Sequence, residues 1–142
     1  MEREQLVEFV RQRALAIVAT RDAHGEPQAA LVGVAATEQG EIVFDTLTSS
    51  RKYRNVSSRP WVALVIGWDD EVTLQCEGVA DLPLGEDLDH CQGAYFERYP
   101  DGRQRAASPD ITHVRVRPGW LRYSDYRSDS FTIEEFEFPG PG

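Results

Sequence analysis

The stretch Phe44-Asp45-Thr46-Leu47-Thr48-Ser49-Ser50-Arg51-Lys52-Tyr53-Arg54-Asn55 changes character twice within twelve residues. It is entered through Glu41-Ile42-Val43-Phe44-Asp45, whose β-branched and aromatic content predicts a strand. Thr46-Leu47-Thr48-Ser49-Ser50 is then small and hydroxyl-rich, and Arg51 onward reads as one or two helical turns. The first turn of a helix leaves N–H groups unpaired and carries the positive end of the dipole, so it attracts anions. Ser49 or Ser50 can cap such a helix or donate to a phosphate oxygen, while Arg51 adds a planar fork of donors and Lys52 a compact charge. The same residues also fit an ordinary N-cap followed by a solvated helix face.

Outward from this segment the chain alternates short strands with turns. Upstream, residues 2–13 form a predicted helix, with Leu6, Phe9, Val10 and Ala14 at helical spacing and acids in the first turn. Strands are predicted at 15–20 and 28–36, joined by a turn cluster at 21–27 in which Gly25 can take positive φ. A second turn at 37–40 leads into the strand ending at Asp45, so the three strands make an antiparallel meander. Downstream, Pro60 closes the short helix. Residues 61–68 read as a strand buried on both faces, and 72–82 as a long return strand with a bulge expected at Gly78. Leu84, Leu88, Cys91, Tyr95 and Tyr99 trace a helical stripe, followed by a polar loop at 103–110. Two or three further strands are expected near 111–117, 120–126 and 131–138, with Arg117-Pro118-Gly119 as a break. This pattern predicts a mainly β, closed or nearly closed antiparallel barrel with helices over its openings.

The length of 142 residues fits one domain, expected over 1–138, with Pro139-Gly140-Pro141-Gly142 as a loose tail. Apolar runs are far shorter than the roughly 20 residues of a membrane span, and the N-terminus lacks a signal-like apolar run. A soluble, cytoplasmic protein is expected. Cys76 and Cys91 lack a CxxC spacing and fit buried thiols in a reducing compartment. The formal charge of −9 disfavours nonspecific binding to nucleic acid or anionic membranes. Against that background Arg51, Lys52, Arg54 and Arg59 stand out, since no acid occurs between Asp45 and Asp69.

Phe44-Asp45-Thr46, Ser50-Arg51-Lys52, Pro60 and Trp68 together resemble the FMN-binding core of the pyridoxamine 5′-phosphate oxidase-like family. That family has an aromatic-x-Thr strand end, a Ser-Arg-Lys phosphate clamp, and an Asn-Pro opening a strand that ends in Trp. Arg59 stands here in place of that asparagine. The resemblance is good over residues 14–82 and weaker over 113–126. It implies a six-stranded antiparallel split β-barrel, assembled as a homodimer with FMN in clefts between subunits. Carried over by position, Thr46, Ser49, Ser50, Arg51 and Lys52 would contact the phosphate and ribityl region. Ala30, Leu31 and Val32 would run beside the ring, with Thr73 in place of a ring-contacting glutamine. The flavin would carry the redox chemistry on a small-molecule substrate. The deazaflavin F420, whose phosphate suits the same clamp, and a noncatalytic flavin- or haem-binding protein are the alternatives.

Two departures bear on substrate. The family's oxidase presents basic groups on its second strand, where this chain has the uncharged Ala29-Ala30-Leu31-Val32-Gly33-Val34, and the oxidase's C-terminal Arg-Leu-His-x-Arg signature is missing. Neither favours a vitamin-B6 phosphate as substrate. Pro118-x-Trp120-x-Arg122 is similar to a strand that, in small split barrels, approaches the partner subunit's flavin. Trp120 would stack near the ring and Arg122 would meet an anionic substrate; the competing reading is an interface or core tryptophan with a surface arginine. His24, His90 and His113 have no metal-ligand spacing, the acidic pairs read as surface charge, and no serine lies in a nucleophile elbow. No catalytic side chain is assigned, and no metal site is expected.

Overall fold

Alternation along the strands organises the molecule. In β6 (Val72–Asp81) Val72, Leu74, Cys76, Gly78 and Ala80 face the interior, while Thr73, Gln75, Glu77, Val79 and Asp81 face outward. The same period of two runs through β1 (Leu15–Arg21) and β5 (Trp61–Ile66), so each strand contributes one apolar face to a shared core. The computed structural model describes residues 1–139.

The remaining strands are β2 (Pro27–Gly33), β3 (Ala35–Ala36), β4 (Ile42–Leu47), β7 (Ile111–Asp125) and β8 (Thr132–Glu137). They form one antiparallel sheet in the order β2-β1-β5-β6-β7-β4-β3, with β8 added on β7. Only Val34 separates β2 from β3, so the two ends of this ladder are consecutive pieces of chain. The sheet therefore curls into the split-barrel arrangement, and Val34 forms the corner by donating its N–H to the Ala14 carbonyl at 2.7 Å.

The strand count differs from the six expected, because β3 is separate from β2 and β8 is added at the edge. The predicted break at Arg117-Pro118-Gly119 is not observed, since β7 runs through it. β4 pairs with β7 only over residues 111–116, and β8 pairs with it only over 120–125. Pro118 thus lies between two neighbours, where its missing N–H leaves neither ladder short. On the other side the β6–β7 register shifts between Glu77 and Gly78, at the expected glycine, with Gly119 of β7 as the extra residue of the bulge.

α1 (Arg3–Arg13) covers one opening with Leu6, Val7, Phe9 and Val10, and ends at Ala14 in the left-handed region with φ 67°. These side chains join Phe44, Leu64, Ile66, Leu74 and Leu121 in the main core. α3 (Gly85–Arg98) builds a smaller cluster in which Cys91 and Tyr95 pack on Ala35 and Val43. The expected polar loop after it contains a short helix, α4 (Gly102–Ala106), held by an Asp101–Arg105 ion pair at 2.8 Å. Both cysteines are free and buried, and burial pushes their thiols up, Cys76 to about 12 and Cys91 to about 11. No helix among the described residues is long and apolar enough to cross a membrane. Of the expected tail, Gly140, Pro141 and Gly142 lie outside the described residues.

Candidate functional site

The deciding segment folds as a strand, a tight turn and a helix. β4 ends at Leu47, the Ser50 N–H donates to the Leu47 carbonyl at 3.0 Å, and α2 (Arg51–Ser58) begins at once. Ser50 is the N-cap, its Oγ accepting from the Tyr53 N–H at 3.1 Å. Thr46 Oγ1 lies 2.9 Å from the same oxygen, so the two hydroxyls share one hydrogen bond and lock the turn onto the end of β4. Ser49 adds its carbonyl, which accepts from Arg54 Nη1 at 3.3 Å.

The helix is anchored from below by Asn55. This buried amide donates to Thr20 Oγ1 and to Gln28 Oε1, both at 2.9 Å, tying α2 to β1 and β2. The sequence reading missed Asn55. Its place one turn beyond Arg51 on the same side of α2, next to the apolar Val56, was the available signal.

With the helix so placed, Arg51 and Lys52 flank a groove of about 110 Å³ whose other wall is Val18, Thr20, Gln28, Ala29 and Ala30. Arg51 also lines a second recess of about 330 Å³, together with Arg54 and Arg59. Neither Arg51 nor Lys52 has an ion-pair partner among the described residues. In a chain of net charge −9, two such cations at a capped helix start form a local positive field directed at open space.

The structure thus brings Thr46, Ser49, Ser50, Arg51, Lys52 and Ala30 to one place. Val32 is buried in the core, while Leu31 points to the opposite face of β2 and is 59% exposed. Thr73 and Trp120 stand apart from the groove within this chain. Both belong to the outer face, where Trp120 shares a cross-strand pair with Glu77 and Thr73 pairs with Ser124. Thr73 lies four residues before Glu77, roughly 13 Å along the strand. Arg122 is committed to Glu135 at 2.8 Å, which favours the surface-arginine reading over an anion contact.

Asp45, next to Thr46, faces a different environment. It accepts from Tyr95 Oη at 3.0 Å and from Arg105 Nε at 3.1 Å, joining the deciding segment to α3 and α4. Across the β4–β7 ladder from it, His113 is buried between the Tyr95 and Phe96 rings, at 5.3 and 5.7 Å, and its Nε2 has no hydrogen-bond partner. Burial lowers its pKa, with Asp45 opposing and Arg105 adding to the shift. A histidine harder to protonate when folded loses stability as pH falls through the ordinary imidazole range near 6.5 and below. Denaturant midpoints are therefore expected to drop between pH 7.5 and 5.5, and His113→Phe to flatten that drop. Equal pH dependence in both proteins would assign the effect elsewhere.

A family model described as pyridoxamine 5′-phosphate oxidase matches residues 3–125. A curated pyridoxine/pyridoxamine 5′-phosphate oxidase from Acaryochloris marina is 34% identical over 91 residues, covering 63% of this chain and 40% of that protein. The chain thus spans well under half of that relative's length. Among solved structures, a heme binding protein from Mycobacterium smegmatis superposes with a TM-score of 0.77 at 17% identity, covering 93% of this chain and 57% of that one. A pyridoxamine 5′-phosphate oxidase-related, FMN binding protein from Nostoc punctiforme gives 0.71 at 13% identity, covering 94% and 87%. At these identities the structural likeness speaks to the fold.

Proposed function

The chain belongs to the pyridoxamine 5′-phosphate oxidase family, and from that premise we propose that it binds FMN and serves as an oxidoreductase on a small molecule. The observation that carries this reading is the pair of unpartnered cations, Arg51 and Lys52, at the Ser50-capped start of α2 beside an open groove. Those residues fit a phosphate monoester. Arg51 supplies a fork for two oxygens and Lys52 a point charge, and the first N–H groups of α2 complete the donor set. Bound flavin would supply the electron-transfer chemistry. The protein's own part is to fix the phosphate end, through the Thr46–Ser50 bond and the Asn55 anchor, and to present the uncharged Ala29–Ala30 wall.

The outer face of the sheet supports a homodimer with the cofactor between subunits. Leu15, Leu31, Trp61, Val65 and Val79 are all exposed there, an apolar band that a second copy would cover. In such a dimer Thr73 and Trp120 would reach the cofactor held by the other subunit's clamp. Within the family, one specific observation also supports F420. The recess lined by Arg51, Arg54 and Arg59 adjoins the clamp, and these three cations, against the one carboxylate of Asp22, suit an anionic extension beyond the first phosphate.

The absorption spectrum of the purified, cofactor-reconstituted protein tests the reading, with mass analysis of what it releases. Flavin bands and the mass of FMN are expected. A deazaflavin spectrum transfers the site to F420, a haem Soret band transfers it to the haem alternative, and no uptake of any of them removes the proposal. Anaerobic addition of NADH or NADPH then separates enzyme from binder, because reduction of bound flavin is expected only of the enzyme.

A further inference from the structure

Far along the chain from the proposed phosphate clamp, α1 and β8 flank an open recess of about 530 Å³. Its apolar surface includes Phe9, Tyr123 and Phe136, with Phe9 and Tyr123 in edge-to-face contact at 6.1 Å. Its rim carries Glu4 and Glu8 from α1 and Glu134 from β8, together with the amino-terminal Met1, while no lysine or arginine side chain lines it. None of these three carboxylates has an ion-pair partner among the described residues. Glu4 and Glu8 stand one helical turn apart on the same face, a mildly unfavourable like-charge pair, and Glu8 Oε1 accepts from Gln12 Nε2 at 2.9 Å.

We propose that this groove binds a small organic cation with an apolar body, an aryl or alkyl ammonium compound. Three properties select that class. The volume falls in the range of small-molecule pockets. Aromatic side chains suit both an apolar body and a positive head, since ring faces attract cations. Phe9 already does so with Arg13, whose guanidinium carbon lies 4.7 Å from the ring centroid and whose charge is paired with Asp70. Anions are repelled by the rim, in which three carboxylates outnumber the amino-terminal group, and a neutral ligand of the same shape leaves that net negative charge in place.

Benzyltrimethylammonium is the probe, with benzyl alcohol and phenylacetate as neutral and anionic counterparts, titrated by calorimetry and by chemical-shift mapping on the full chain. The cation is expected to bind at least about tenfold more tightly than benzyl alcohol, and more weakly as salt is raised. Shifts are expected at Phe9, Tyr123 and Phe136, with none for phenylacetate. Glu8→Gln with Glu134→Gln, both exposed and outside the core, is expected to lower the affinity at least about tenfold while leaving the unfolding midpoint in place. Arg51→Ala with Lys52→Ala is expected to leave cation binding unchanged, so failure here and failure of the flavin reading are separable. Equal affinity for benzyl alcohol, undiminished binding in the glutamine variant, or no binding up to about 10 mM overturns the proposal.

Discussion

Replacing Arg51 and Lys52 together by alanine is expected to weaken FMN binding by about 2–4 kcal/mol, or roughly 30- to 1000-fold, because in the proposed clamp each would make a charge-assisted contact to the phosphate. Folding is expected to be indifferent to the change. Arg51 is exposed, neither side chain has a hydrogen bond or ion pair among the described residues, and the Ser50 cap and Asn55 anchor stay in place. Loss of affinity with an unchanged unfolding midpoint is thus the signature of a clamp. The wild-type affinity should also fall with ionic strength more steeply than the variant's, since two of the charges that feel screening are gone. Equilibrium titration giving the same affinity for both proteins rejects the assignment of these two residues.

Gly78→Ala is expected to lower stability by about 3 kcal/mol, a drop of roughly 10 °C in melting temperature for a domain of this size. A β-carbon at Gly78 would lie 2.3 Å from the Arg117 carbonyl oxygen, 2.9 Å from its carbon and 3.0 Å from the Pro118 Cα. These are backbone atoms of the neighbouring strand, so relief requires β6 and β7 to part at the bulge. Gly119→Ala is the matched control. Its β-carbon would meet only the Glu77 carbonyl oxygen, at 3.9 Å, and the change should fall within about 0.5 kcal/mol of wild type. Thermal unfolding of the two variants side by side decides the matter: similar midpoints would mean that the bulge is softer than its contacts indicate.

The features legible in the sequence were those fixed by local chemistry. The β1–β2 hairpin turns at Gly25, whose φ of 78° is the conformation anticipated from its place among turn residues. The N-terminus of α2 follows from hydroxyls preceding a helical run, and the structure identifies Ser50 as the cap. Features that depend on a partner strand were not legible. Pro118 reads as a strand break in isolation, yet it is tolerated because β4 and β8 leave β7 on either side of it. Arg103 to Ala106 looks like polar loop until Asp45, more than fifty residues earlier, offers Arg105 a carboxylate. The candidate site divides in the same way. The turn from Thr46 to Lys52, proposed as the clamp, is contiguous in sequence, and its strand–turn–helix form was readable, whereas Asn55 shows its purpose only when Thr20 and Gln28 are brought to it. The acidic groove between α1 and β8 joins residues from opposite ends of the chain and has no linear signature.

The single residue between β2 and β3 has an architectural implication. The first and last rungs of one hydrogen-bonded series are successive portions of the same polypeptide, so the count of residues around Val34 sets the phase of both margins at once. Adding or deleting one amino acid there would reverse which side chains of β2 or β3 point inward, with no slack to absorb the change. The reversals at Asp22–Glu26 and Asp69–Glu71 each join only adjacent strands and carry no such constraint. Natural or engineered length variation should accordingly be accommodated at those exposed reversals and excluded from the corner.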